Sequence, residues 1–117
     1  MAKSTEEVLD HHRQAFGAGD LTAILEDYTD ESIVITPDGA VLRGPGQMAP
    51  FFKAFFAEFA KPGASFTLNH KVIEGETAYI TWSAETADNV YQLGTDTFSI
   101  RDGKIVTQTV AVKAEPK

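Results

Sequence analysis

The second half of the chain constrains the fold most. Four stretches, 64–74, 77–87, 90–100 and 104–114, read as strands of roughly ten residues each, separated by turn signals. The turns are Glu74-Gly75-Glu76, Ala87-Asp88-Asn89 and Arg101-Asp102-Gly103-Lys104, with Asp102-Gly103 the strongest hairpin signal among them. Strands of this length and even spacing predict an antiparallel meander. A sheet this wide must have one face covered, and the cover has to come from the first half of the chain.

That half supplies three amphipathic helices. The run from Ser4 to Ala18 carries Val8, Leu9, Ala15 and Phe16 on one stripe at about 100° per residue and stops at Gly17-Ala18-Gly19. Asp20 reads as the N-cap of a short second helix, whose apolar residues Leu21, Ile24, Leu25 and Tyr28 follow at helical spacing. Ser32-Ile33-Val34-Ile35-Thr36 is a β-branched strand, Pro37-Asp38-Gly39 turns the chain, and Ala40-Val41-Leu42 can pair back on it. Pro45 opens a third helix with Met48, Phe51, Phe52, Phe55, Phe56 and Phe59 on its apolar face, five of the eight phenylalanines, and Lys61-Pro62-Gly63 ends it. The expected fold is α+β, with three helices on one face of a curved antiparallel or mixed sheet, in a single domain spanning residues 1–117.

Composition removes several function classes. The net charge is −7 and the only basic scatter is Lys104, Lys113 and Lys117, which argues against nucleic acid and anionic membranes as partners. There is no cysteine, so disulfides, thiolate metal sites and cysteine nucleophiles are excluded. The first residues contain no apolar signal-peptide core, and no apolar run approaches the ~20 residues of a membrane span, so a cytoplasmic location is expected. The three histidines, His11, His12 and His70, do not form a ligand set, because adjacent histidines on a helix cannot face one ion. No metal or cofactor is expected. Phosphate-loop and Gly-x-Ser-x-Gly patterns are absent.

One residue breaks the apolar pattern of the first helix. His12 lies near the centre of the stripe, where a leucine would be ordinary, while His11 points about 100° away toward solvent. A titratable imidazole there either has a buried partner or lines a cavity.

The element order, together with Ala18-Gly19-Asp20-Leu21, Ser32-Ile33-Val34-Ile35-Thr36-Pro37, Arg43-Gly44 and Asp96 through Ile105, resembles the nuclear transport factor 2-like superfamily in its small SnoaL-like and ketosteroid-isomerase-like branch. The resemblance covers nearly the whole chain. It implies a cone-shaped, cystatin-like roll with an apolar pocket open at one end. Ketosteroid isomerase sets three polar groups in that pocket: a tyrosine donor, an aspartate base and a second, protonated aspartate. Carried over residue by residue, the tyrosine position falls on His12, the base on Thr36 and the second aspartate on Asp96. Threonine cannot take a proton from a carbon acid at neutral pH, so steroid isomerisation by that mechanism is not expected.

The resemblance instead implies a His12–Asp96 pair in the pocket, with His12 as acid or base and Asp96 as its orienter. Gln108 and Tyr28 are candidate donors, and Thr36 is a further pocket group. Phe16, Phe52, Phe56, Phe98 and Val110 are expected as apolar walls. The parity carried by the resemblance turns Thr81 and Ser83 toward the pocket and Trp82 to the outer sheet face, where a second subunit would cover it. The expected ligand is a small, mostly apolar organic molecule, with proton transfer of isomerase, cyclase, dehydratase or hydrolase type. The alternatives are a non-catalytic binding protein and an association domain whose pocket is filled by its own side chains.

Overall fold

The computed structural model describes residues 3–117. Helix α1 (Thr5–Ala18) starts at a capping box in which Ser4 and Glu7 satisfy each other's backbone N–H groups, and it ends on Gly19 in the left-handed conformation. Helix α2 (Leu21–Leu25) is capped by Asp20 and spans only one turn. Strand β1 (Tyr28–Ile35) follows, then β2 (Val41–Arg43), helix α3 (Pro45–Ala60), and the meander β3 (Ser65–Glu74), β4 (Thr77–Glu85), β5 (Asn89–Arg101) and β6 (Lys104–Pro116). Tyr28 therefore opens β1 instead of closing the second helix. Its ring still points into the core, because the switch from helical to extended backbone occurs just before it.

The six strands form one mixed sheet in the order β2-β1-β6-β5-β4-β3. Every neighbouring pair is antiparallel except β1 and β6, which run parallel with Val34 opposite Gln108. The parallel contact joins the first half of the chain to the end of the meander and brings Tyr28 beside Ile105. The helices cover one face of the sheet. Val8 and Leu9 of α1, Ile24 of α2, Met48 and Phe52 of α3, and Val34, Phe98 and Ile105 of the sheet form the centre of the core.

Irregularities in the ladders bend the strands and reset their parity. Between Ser99 and Ile100 the β5–β6 register skips a residue on β6, so Val106 is left exposed while Ile105, Gln108 and Val110 all face inward. A similar shift between Trp82 and Ala84 sets three steps of β5, Gly94 to Tyr91, against two of β4, one extra residue on β5. On β4 the buried apolar set is Ala78, Ile80, Trp82 and Ala84, and Thr81 between them is buried as well.

Candidate functional site

A cavity of about 400 Å³ lies between the helices and the inner sheet face. Phenylalanines of α1 and α3 (Phe16, Phe51, Phe52, Phe55 and Phe59) wall one side, and Phe66, Ile80, Trp82 and Val110 wall the other. His12, Asp96 and Gln108 are the polar groups of its interior, and Arg13 with the small residues Gly17, Ala64 and Ser65 completes the lining.

Asp96 owes its setting to strand register. It stands opposite Ile80 on β4 and Val110 on β6, so its diagonal neighbours on the same face are Trp82 and Gln108. Both reach it: Trp82 Nε1 donates to Oδ1 at 2.9 Å and Gln108 Nε2 donates to Oδ2 at 2.9 Å. Neither donor carries a charge. Burial accordingly dominates and pushes the Asp96 carboxyl up to about 6, with the two hydrogen bonds opposing.

Gly94 makes this possible. It pairs directly with Trp82, and a Cβ at that position would stand 2.1 Å from Trp82 Cε2. The indole lies in the space that a side chain at 94 would fill. Parity follows from burial: Ile80, Trp82 and Ala84 are the apolar set of the strand and turn inward, Gly94 leaves space there for the indole, and Thr81 and Ser83 turn outward. The expectation of an outward Trp82 and inward Thr81 and Ser83 is thereby reversed. Thr81 shares a hydrogen bond with His70 at 2.8 Å on the outer face, and Ser83 accepts from Asn69. A lone glycine within an otherwise regular strand is the sequence signal of such a close approach.

His12 is buried among three aromatic rings, edge-on to Phe98 at 5.1 Å, Phe52 at 6.2 Å and Tyr28 at 6.3 Å. It makes no hydrogen bond to Asp96; the expected direct pair is replaced by a chain of two side chains. Gln108 uses its amide nitrogen on Asp96, so its Oε1 is left to accept from the Tyr28 hydroxyl. The Tyr28 oxygen in turn stands 3.5 Å from His12 Nδ1. With the tyrosine proton committed to Gln108, the Tyr28 oxygen is free to accept from a proton on Nδ1, the tautomer in which the Nε2 lone pair is left without a protein partner. Burial, together with His11 next to it, lowers the His12 pKa to about 3. His12 is thus a neutral imidazole, and Asp96 is the group able to change protonation near neutrality. Burial also raises the Tyr28 hydroxyl well above its ordinary value, with the charges of Asp96 and Asp27 adding to the effect.

The remaining expected residues separate into two groups. Phe16, Phe52, Gln108 and Val110 line the cavity with His12 and Asp96. Phe98 and Phe56 stand behind that wall: Phe98 is fully buried against His12, and Phe56 packs on Phe16 and Phe52. Thr36 does not reach the cavity lining. Its hydroxyl binds Asp38 and the Ala40 N–H, closing the turn that leads to β2. His11 is not simply solvated. Its Nδ1 meets the carboxylate of Asp27 at 2.8 Å, which ties α1 to the start of β1. Among the described residues, no group of three His, Asp or Glu side chains is placed to hold a metal ion. No described helix is long and apolar enough to cross a membrane.

The sequence matches the SnoaL-like domain family over residues 8–108, and the chain belongs to that family. No curated protein is significantly similar in sequence. Among solved structures, an NTF2-like protein of unknown function from Mesorhizobium loti shares 27% identity with a TM-score of 0.78, over 93% of this chain and 90% of that one. The epoxide hydrolase/cyclase-like enzyme SalBIII, described in pyran ring formation in the polyether salinomycin, superposes with a TM-score of 0.79 at 16% identity, over 97% of this chain and 95% of its own. A steroid delta-isomerase from Pseudomonas aeruginosa gives 0.77 at 16% identity, over 93% of this chain and 79% of its own. At 16% identity the last two speak for the fold alone.

Proposed function

We propose that the cavity binds a small, mostly apolar organic molecule and that Asp96 moves a proton on it. The observation that carries this reading is a buried carboxylate at the cavity wall, held by two neutral N–H donors and facing no cation, with its pKa lifted to about 6. Such a group accepts a proton from an activated C–H or a hydroxyl of the ligand and returns it to another atom of the same molecule. Isomerisation and cyclisation are reactions of that kind, and neither consumes a cofactor. His12 keeps a part in the site with its role changed: the unpartnered Nε2 lone pair accepts a hydrogen bond from the ligand. Tyr28 and Gln108 fix the orientation of both ends.

Deuterium exchange tests the reading. β-Tetralone and isophorone carry exchangeable protons next to a carbonyl on a compact apolar body. Incubated in D2O at neutral pH, they should incorporate deuterium faster with the protein than in buffer. Asp96→Asn should lower the excess rate by about 100-fold or more. Ligands that bind, by line broadening in NMR, yet exchange at the buffer rate would leave a binding protein in place of an enzyme.

We further propose that a second copy of the chain covers the outer sheet face. Trp82 is not part of this surface. The support is a shallow depression lined by Asn69, His70, Val72, Tyr79, Thr81, Leu93 and Thr95, with no Lys, Arg, Asp or Glu in its lining, within which Val72, Tyr79 and Leu93 are exposed. A lining free of Lys, Arg, Asp and Glu can meet its own copy across a two-fold axis without opposing those charges. Light scattering should report a dimer that Leu93→Glu converts to a monomer. A monomeric parent protein at ~100 μM, a concentration at which even micromolar association is visible, would overturn the assignment.

A further inference from the structure

Proton transfer at Asp96 leaves one lining side chain unexplained. Arg13 borders the cavity and is half-buried. The cations of the ion pairs among the described residues are His11, Lys61, Lys71, Arg101 and Lys117, and Arg13 is in none of them. On α1 the one carboxylate three or four residues from Arg13 is Asp10. Asp10 instead holds Lys71 at 2.9 Å, and Glu6 holds the same ammonium at 3.1 Å. In a chain of net charge −7, the cavity thus has one guanidinium with no counter-ion among the described residues.

The wall near Arg13 also differs from the rest. Gly17, one turn further along α1, lines the cavity, and a Cβ placed there would meet nothing within 4 Å. Ala64 and Ser65 are the other small lining residues. Everywhere else the wall is built of large apolar side chains, apart from the polar group around Asp96. The cavity lining therefore carries two polar groups of opposite character: a buried carboxylate fed by neutral donors, and a half-buried guanidinium beside open space.

We propose that the ligand is an organic monoanion, with an apolar ring body held by the phenylalanines and a carboxylate engaged by Arg13. This rests on the reading of the cavity as a ligand site. The planar guanidinium offers paired N–H donors that match a carboxylate. The arrangement also sets orientation. An anionic head placed beside Asp96 would meet a carboxylate, so the ligand turns its neutral, reacting portion toward Asp96 and its head to Arg13. A cavity of about 400 Å³ is at the small end of the usual range of ligand sites, which limits the body to one or two rings.

A matched pair of probes tests this. Binding of 2-naphthylacetate and 2-naphthylacetamide is measured by calorimetry at neutral pH and low salt, on the parent protein and on Arg13→Gln, with circular dichroism confirming that the variant is folded. The acid should bind the parent about tenfold more tightly than the amide, a difference that shrinks with added salt. Arg13→Gln should erase the preference and leave amide binding within about twofold of the parent. Equal binding of both probes to the parent, or an acid preference that survives in Arg13→Gln, overturns the inference while the cavity remains a ligand site. Binding of neither probe at millimolar concentration overturns both.

Discussion

Gly94→Ala isolates the fit on which the Asp96 site depends. The added Cβ would stand 2.1 Å from Trp82 Cε2 and 2.2 Å from Cζ2, where carbon atoms in contact sit about 3.5–4.0 Å apart. The indole has to retreat by roughly 1.5 Å to reach that separation, which breaks its 2.9 Å hydrogen bond to Asp96. Overpacking of this kind costs about 1–3 kcal/mol. Stripping one donor from a buried carboxylate adds about 1.5–3 kcal/mol. The expected loss is therefore about 2.5–6 kcal/mol, a large share of the 5–15 kcal/mol that keeps a domain of this size folded. The sign is informative as well, since Gly→Ala within a strand otherwise stabilises by about 0.5–1 kcal/mol. Urea unfolding followed by far-UV circular dichroism measures the change. Repeating it in a Trp82→Ala background, which lacks both the clashing ring atoms and the indole donor, should return about 2 kcal/mol of the loss as coupling between the two positions. A neutral or stabilising Gly94→Ala, or additive effects of the two substitutions, would refute the placement of Trp82 over Gly94.

Further expectations concern the titrating groups and the packing of α3. Trp82 is the only tryptophan, so its emission should change with a midpoint near pH 6 as Asp96 is protonated, and Asp96→Asn should abolish that transition. The His12 imidazole is held down to about 3 against 6.5 in the unfolded chain, so the unfolded state binds the extra proton between those values and stability is lost as pH falls through that window. Asp96 acts oppositely: its folded carboxyl keeps a proton up to about 6 against 3.8 unfolded, so its contribution declines as pH rises between them. His12→Leu should therefore remove an acid destabilisation on the order of 4 kcal/mol and leave stability falling with pH between 3.8 and 6; an unchanged acid limb in urea titrations would contradict the buried, neutral imidazole. Glu58 of α3 accepts hydrogen bonds from Thr86, Asn89 and Tyr91, and Glu58→Ala should cost about 1–2 kcal/mol in the same assay by freeing the β4–β5 hairpin from the helix.

The sequence by itself determined the element order, because that information is local. Caps at Ser4 and Asp20, the stop at Gly19, the phenylalanine stripe of α3 and the Asp102-Gly103 hairpin each act within a few residues, and each lies where its chemistry predicts. The two residues most out of place in their patterns, His12 and Asp96, were also legible, since a polar group on an apolar stripe or within a strand stands out against its neighbours. Tertiary structure decided how they are joined. Alternation along β4 separates Thr81 and Ser83 from the apolar set Ile80 and Trp82, which takes the core. Seating the indole there needs the space provided by Gly94 on the next strand, and β6 reaches the inner face with Gln108 only through the irregularity at Val106. The link between His12 and Asp96 runs through Tyr28 and Gln108, which are 80 residues apart in sequence and meet because β1 pairs in parallel with β6. Local pattern fixes which residues alternate or cap. Which face is buried, and which distant side chains share it, is settled only when volumes and hydrogen-bond partners are satisfied together.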